Sequence, residues 1–222
     1  MNEKIKQEEM EAIAHQLACP QGEQGLELGA KMNVLNAFIT ERSINALAPR
    51  QAEHILEIGF GNGKLSVPLI EAVGANGHFI GVETSSVLAQ QALTSFSRAG
   101  LSQVTVLSDD CHLIHLENNS LDAALAVNVL YFIDDLDALF RKIHGWLKPG
   151  GRMVMGVRSA EALQAMPFTQ YGFRIRELDE IKNAMRDVGF INVESDYFDE
   201  GVIEFNELQL PMDSLVIWSS KK

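Results

Sequence analysis

Glu57, Gly59, Gly61 and Gly63 stand at alternate positions in ILEIGFGNGK, a stretch that runs from Ile55 to Lys64. A glycine inside a regular element costs roughly 0.5–1 kcal/mol relative to alanine. Three within five residues therefore imply a backbone that turns with positive φ, or a large group lying against it. A glycine-rich turn between a strand and a helix is the setting in which backbone N–H groups and a helix N-terminus meet a ligand; a plain β-to-α turn is the bland alternative. The spacing separates two cofactor chemistries. Dinucleotide loops follow G-x-G-x-x-G, and counting from Gly59 the third glycine of that pattern would fall on Lys64. The spacing here is E-x-G-x-G-x-G instead. A carboxylate two residues ahead of the first glycine accepts from an ammonium group, which the methionine end of S-adenosylmethionine has and NAD lacks. Glu83 follows twenty residues after Gly63. An acid ending the second strand accepts from both hydroxyls of a ribose, and it serves either cofactor equally.

The elements that must position these residues follow from hydrophobic periodicity. From residue 53 onward short apolar runs alternate with helical patterns. HILEIG, HFIGVE, QVTVLSDD, a strand within LDAALAVNVL, RMVMGV, FINVESDYF and SLVIWSS read as strands. Helices are expected from about Leu65 (Pro68 fits only in a first turn), from a Ser85 or Ser86 cap to about Ser97, over 134–147, and over 177–188. Asp134 and Asp137 sit where acids favour a helix start. Alternating βαβα implies a parallel sheet with helices on both faces, hence a doubly wound, Rossmann-like three-layer α/β sandwich whose ligands lie at the carboxyl ends of the strands. Ahead of it, residues 3–18 read as an amphipathic helix and about 31–47 as a second one. CPQGEQGLELGAKMN between them is expected to break the helical pattern. Residues 1–50 are thus expected to form a helical lid or cap on a domain covering 51–222, and 159–173 to be irregular.

Composition narrows the function. The formal charge of −12 with no Lys/Arg-rich stretch disfavours a nucleic-acid partner. No apolar run approaches membrane-helix length, which disfavours a membrane partner. The acidic first residues lack the apolar region of a secretory signal, and Cys19 and Cys111 form neither a CxxC nor a ligand cluster. The chain reads as a cytoplasmic protein with reduced thiols and no metal, working on a small molecule; its oligomeric state stays open.

Taken together, ILEIGFGNGKLS, GVETS, LSDDCHLIHLENNSLDAALAVNVLYFI and LKPGGRMVMGV, in this order and spacing over about residues 50–158, resemble the class I S-adenosylmethionine-dependent methyltransferases. The helix ending in DVGFINVES and the closing SLVIWSS resemble that family's last helix and end strands, implying a mostly parallel seven-stranded sheet with an antiparallel last strand. The first 50 residues are similar to the N-terminal segment of bacterial small-molecule (methyltransferase type 11-like) members. The resemblance implies S-adenosylmethionine as cofactor and S-adenosylhomocysteine as product. It implies that Gly59, Gly61 and Gly63 line the methionine part, with Glu57 near its amino group. Glu83, beside Thr84, would hold the ribose. Asp110 would accept from the adenine amine, in preference to Asp109, with the Cys111 backbone beside the ring. Asn128 and Val129 would lie next to the sulfonium. His115 stands where many relatives have proline.

NVLY, Asn128 to Tyr131, has the spacing of the NPPY motif of amino-group methyltransferases without its prolines. The plainer reading is that Asn128 ends a strand and Tyr131 is half-buried lining. No catalytic residue is assigned. His112, His115 and His144 are weighed as bases, His15 and Tyr171 as substrate contacts, and Met32, Met166, Phe168 and Phe173 as apolar lining. The function expected is methyl transfer to oxygen, nitrogen or carbon of a small molecule. The alternatives are a non-catalytic S-adenosylmethionine-binding protein, a methyltransferase acting on a protein, and an NAD-type oxidoreductase.

Overall fold

A computed structural model describes residues 3–205 and 208–222 of the chain. Three helices come first: α1 (Glu3–Ala18), α2 (Gly22–Leu35) and α3 (Ala37–Leu47). The strands are β1 (His54–Ile58), β2 (His78–Val82), β3 (Val104–Leu107), β4 (Leu121–Val127), β5 (Leu147–Val157), β6 (Phe190–Phe205) and β7 (Leu208–Lys221). Between them lie α4 (Val67–Val73), α5 (Ser86–Arg98), α6 (Leu136–Trp146), α7 (Ala160–Gln164) and α8 (Leu178–Asp187). The seven strands form one sheet in the order β3-β2-β1-β4-β5-β7-β6, parallel except for β7, which runs antiparallel to both its neighbours. The expected fold is the observed one.

The apolar strands are continuous runs because helices cover both faces. Ile55, Leu56, Leu121, Leu125 and Met153 are fully or almost fully buried. One core packs α6 and α8 on one face through Leu139, Phe140, Ile143 and Met185. The other packs α4 and α5 through Leu69, Ile70, Ala92 and Phe96, and α3 lies over β5 and β7 on that side through Ile39 and Leu47. The chain leaves β1 toward β2 and β3, then returns to place β4 on β1's other side. Register aligns Ile58 with Val82 and with Ala126, so three strand ends face one crevice at the reversal point.

Two expectations are corrected. The glycine-bearing stretch after Pro20 is helical: α2 runs unbroken through Gly25 and Gly29, and α3 is a separate helix after Asn36. The reason is packing. A Cβ on Gly25 would sit 2.7 Å from the Pro20 carbonyl carbon, and one on Gly29 would sit 2.8 Å from the Leu88 side chain of α5. Those glycines let α2 lie close, at a propensity cost that sequence patterning reads as a break. The closing strands are also longer than expected. β5 pairs with β7 only over Arg152–Val157, while β6 and β7 stay paired out to Glu204 and Gln209. The far half of this hairpin projects beyond β5 on the carboxyl side. Within 159–173 the chain forms α7 and a 3-10 turn, Pro167–Gln170. No helix among the described residues is long and apolar enough to cross a membrane.

Candidate active site

The crevice opens into a cavity of about 510 Å³, within the range of small-molecule sites. Its floor is the loop after β1. Gly59, Gly61 and Gly63 all have positive φ, at 72°, 62° and 75°. Each does a different job. A Cβ on Gly59 would overlap Val129 at 2.3 Å, so this glycine lets the loop close on the end of β4. Gly61 faces open space at the cavity wall. Gly63 does not line the cavity; a Cβ there would sit 2.4 Å from the ring of Phe96, so it admits α5. The chain then enters a 3-10 turn and α4, with Pro68 in the first turn where no intrahelical donor is required.

Glu57 projects from β1 into the wall, 4% exposed, and its Oε2 has no hydrogen-bond partner among the described residues. Burial lifts its carboxyl to about 7; the nearby Ser66 hydroxyl, itself without a hydrogen bond of good geometry among the described residues, opposes the shift, and the charge of Glu83 adds to it. Glu83 ends β2 and is bound differently. Its Oε2 accepts from the Gly61 N–H at 2.9 Å and its Oε1 from the Ser85 N–H at 2.8 Å. Burial nonetheless raises its pKa. Ser85 caps α5 through the Leu88 N–H and donates its own hydroxyl to the Pro20 carbonyl at 2.5 Å. One carboxylate thus joins the glycine loop to the start of α5, and the cap residue joins α5 to the segment before α2. Thr84 lines the same wall, exposed.

After β3, Asp109 and Asp110 both line the cavity and both are exposed. Asp109 accepts from the Asp110 N–H and Asp110 from the His112 N–H, each at 2.8 Å. Cys111 is buried beside them, and burial pushes its thiol up to about 12, so it stays protonated at neutral pH. Beyond β4, Asn128 takes a left-handed backbone with φ 55°. Its Nδ2 donates to Asn36 Oδ1 at 2.9 Å, and its Oδ1 accepts from the Tyr131 hydroxyl. Tyr131 is 6% exposed, more buried than expected, and burial moves its hydroxyl above the ordinary phenol range. It therefore holds its proton and serves here as a donor.

The remaining walls come from elsewhere in the chain. Met32, Met166, Phe168 and Phe173 line the cavity, as do Leu210 and Met212 of the projecting hairpin. His112 lines it, whereas His15 and His115 are exposed away from it and His144 packs on Phe190, 5.1 Å between ring centres. Tyr171 packs in the cluster behind the wall.

Residues 55–151 match the family model described as Methyltransferase domain. The chain is 28% identical over 162 residues to phosphoethanolamine N-methyltransferase 1 of Arabidopsis thaliana, covering 69% of this chain and 32% of that protein. It is 27% identical over 133 residues to the sterol 4-C-methyltransferase strm-1 of Caenorhabditis elegans, covering 60% and 38%. Among solved structures, a SAM-dependent methyltransferase from Aquifex aeolicus superposes with a TM-score of 0.65 at 14% identity, over 87% of this chain and 98% of that one; at that identity it speaks for the fold alone. Residues 55–151 thus carry a methyltransferase domain, on a fold that S-adenosylmethionine-dependent methyltransferases share. The chain spans about a third of the length of the first curated relatives it matches.

The residues present fit the family's cofactor. An orphaned, buried carboxylate oxygen on Glu57 is a costly feature in the free protein, and an ammonium group satisfies it. Gly61 leaves its wall open for a ligand to lie on, and the acid at the end of β2 already accepts from two backbone donors. All ten positions expected at the site, Gly63 apart, line one cavity. Two lining residues carried no signal that was read. Asn36 lies inside the stretch 31–47 that reads as one helix, though the structure places it between α2 and α3, and Arg158 directly follows the strand RMVMGV. Arg158 is 5% exposed and pairs with Glu200 of β6. It also donates to the Leu35 carbonyl at 3.0 Å and to Ser214 at 3.1 Å. A charged residue at the carboxyl end of an inner strand was the available clue; its partners, 42 and more residues away in sequence, were not.

Proposed function

We propose that this chain is a methyltransferase that binds S-adenosylmethionine across the ends of β1, β2 and β4 and passes its methyl group to a small molecule held in the rest of the same cavity. The orphaned Glu57 oxygen is the observation that carries the reading. In it, Glu57 takes the cofactor's ammonium, the Gly59–Gly61 backbone lies under the methionine part, and Glu83 accepts from the ribose hydroxyls. Asp110 accepts from the adenine amine beside Cys111, and Asn128 and Val129 border the reacting end. When bound, the cofactor would supply a methyl group on a cationic sulfonium, which an acceptor's lone pair would take while the C–S electrons stayed on sulfur to leave S-adenosylhomocysteine and the acceptor's proton went to water. Little acid catalysis is needed for a leaving group that departs neutral. The protein's part is alignment of the reacting atoms at about 3–3.5 Å.

The Asn36–Asn128–Tyr131 chain serves that alignment. It fixes the Asn128 amide, and Tyr131, protonated, is not the base. Helices α1 and α2, within the expected 1–50 cap, would cover the cavity, with α3 packed on the sheet. The charge of −12 supports a small acceptor over a nucleic acid. The two curated relatives act, by name, on phosphoethanolamine and on a sterol, so likeness alone does not choose the acceptor.

Calorimetry with S-adenosylhomocysteine, with NAD as control, tests the cofactor reading: binding of the first alone is expected. Methyl transfer from labelled S-adenosylmethionine into a metabolite extract then separates an enzyme from a non-catalytic binder, and transfer into protein instead would favour the protein-acceptor alternative.

A further inference from the structure

The walls of the cavity beyond Asn128 differ in kind from those at the glycine loop. They are Met32 of α2, Leu163 of α7, Met166 just after it, Phe168 of the following 3-10 turn, and Leu210 and Met212 of β7. None carries a charge. Met166, Phe168, Leu210 and Met212 also form, with Ala14 of α1, a small apolar cluster separate from the two main cores. Arg158 is the one lysine or arginine among the described lining residues, and it is committed. Glu200 neutralises it, and the carbonyls of Leu35 and Asp213 and the Ser214 hydroxyl occupy further donors. An anionic ligand would have to displace these bonds inside a buried network, which costs more than the ligand returns. A cation fares no better. Glu57 and Glu83 belong to the glycine-loop end, Asp109 and Asp110 to the loop after β3, and Asp134 is paired with Arg174 at the surface.

We propose, on top of the methyl-transfer reading, that this half of the cavity takes an uncharged acceptor with a mainly apolar body. Methionine and phenylalanine suit the role, since thioether side chains repack around irregular apolar shapes. The same walls disfavour small zwitterionic and phosphorylated acceptors, whose charges find no free counter-ion there. Specificity then rests on Met166, Phe168 and Met212.

The test titrates a graded set of 4-alkylphenols, from 4-ethylphenol to 4-hexylphenol, into the S-adenosylhomocysteine-saturated protein, with phosphocholine as the charged control. Affinity is expected to rise about fourfold per added methylene until the chamber fills, with no measurable phosphocholine binding. Met212→Lys should weaken 4-hexylphenol at least tenfold while S-adenosylhomocysteine still binds; that retained binding certifies the fold. Should Met212→Lys not fold, Met212→Ala decides through a shallower chain-length dependence. A flat alkyl series, or phosphocholine binding more tightly than the alkylphenols, overturns the proposal. The series is repeated on the free protein. There, failure of the cofactor to bind sinks the methyl-transfer reading, while the alkyl series still reports on the chamber.

Discussion

The cavity has two walls built in opposite ways. One is the row of strand ends at β1, β2 and β4, where polar groups sit within a few residues of one another and are held by short loops. The other is assembled from α1, α2, the turn after α7 and the paired residues of the projecting β6–β7 hairpin, and it is mainly apolar. In the proposed function the first wall would bind by fixed donors and acceptors, and the second would exclude water and select by shape. Loops and late elements build the second wall, while the sheet holds the first in place.

That contrast makes graded predictions. Glu83→Ala should weaken S-adenosylhomocysteine binding by about ten- to a hundredfold, the 1.5–3 kcal/mol of a charge-assisted contact, read by calorimetry. Because Glu83 also holds the Gly61 and Ser85 N–H groups, the free variant should melt lower as well. Wild-type affinity would detach Glu83 from the cofactor.

Glu57 predicts a pH dependence. With its carboxyl near 7, ionised Glu57 is what an ammonium needs, so S-adenosylhomocysteine affinity should fall about tenfold from pH 8 to pH 6, tracking the ionised fraction. Glu57→Gln should bind more weakly and flatten that slope; an unchanged slope would assign the titration elsewhere. In the free protein the sign is the reverse. A carboxyl raised from about 4.5 to about 7 binds its proton more tightly folded than unfolded. Its stabilisation is full below 4.5, on the order of 3 kcal/mol, and is lost as pH rises through 7. The melting temperature of the wild type should therefore fall relative to that of Glu57→Gln as pH rises from about 4.5 to 7, and the two should run parallel above that window.

Smaller effects probe packing. Gly63→Ala meets Phe96 and a positive φ together. It should cost about 2 kcal/mol, or about 4–8 °C in melting temperature, while changing binding less than Glu83→Ala does. Gly25→Ala gains about 1 kcal/mol in helix propensity but meets the Pro20 backbone; a net loss of about 1 kcal/mol or less is expected. A clear gain in melting temperature would show that α2 does not lie as close to Pro20 as described.

Legibility followed the same division. Glu57, Gly59, Gly61, Glu83 and Asp110 could be placed at one cavity because each stands within a few residues of a strand end, where sequence order is spatial order. Gly63 was read by pattern as ligand-facing and instead admits α5, because a glycine's type does not say which neighbour requires it. The glycines of α2 read as a break for the same reason. Asn36 meets Asn128 across 92 positions and Arg158 meets Glu200 across 42, and no local period encodes such pairs.

By itself the sequence determined the alternation of strands and helices, the parallel sheet and the spacing of acids around a glycine loop, since these depend on backbone conformation and periodic burial. Only the tertiary structure decided that Glu57 keeps an unpartnered oxygen, that Tyr131 is spent on Asn128, and that the second wall carries no free charge. Those are properties of burial and of contacts between distant segments, which exist only once the chain has packed.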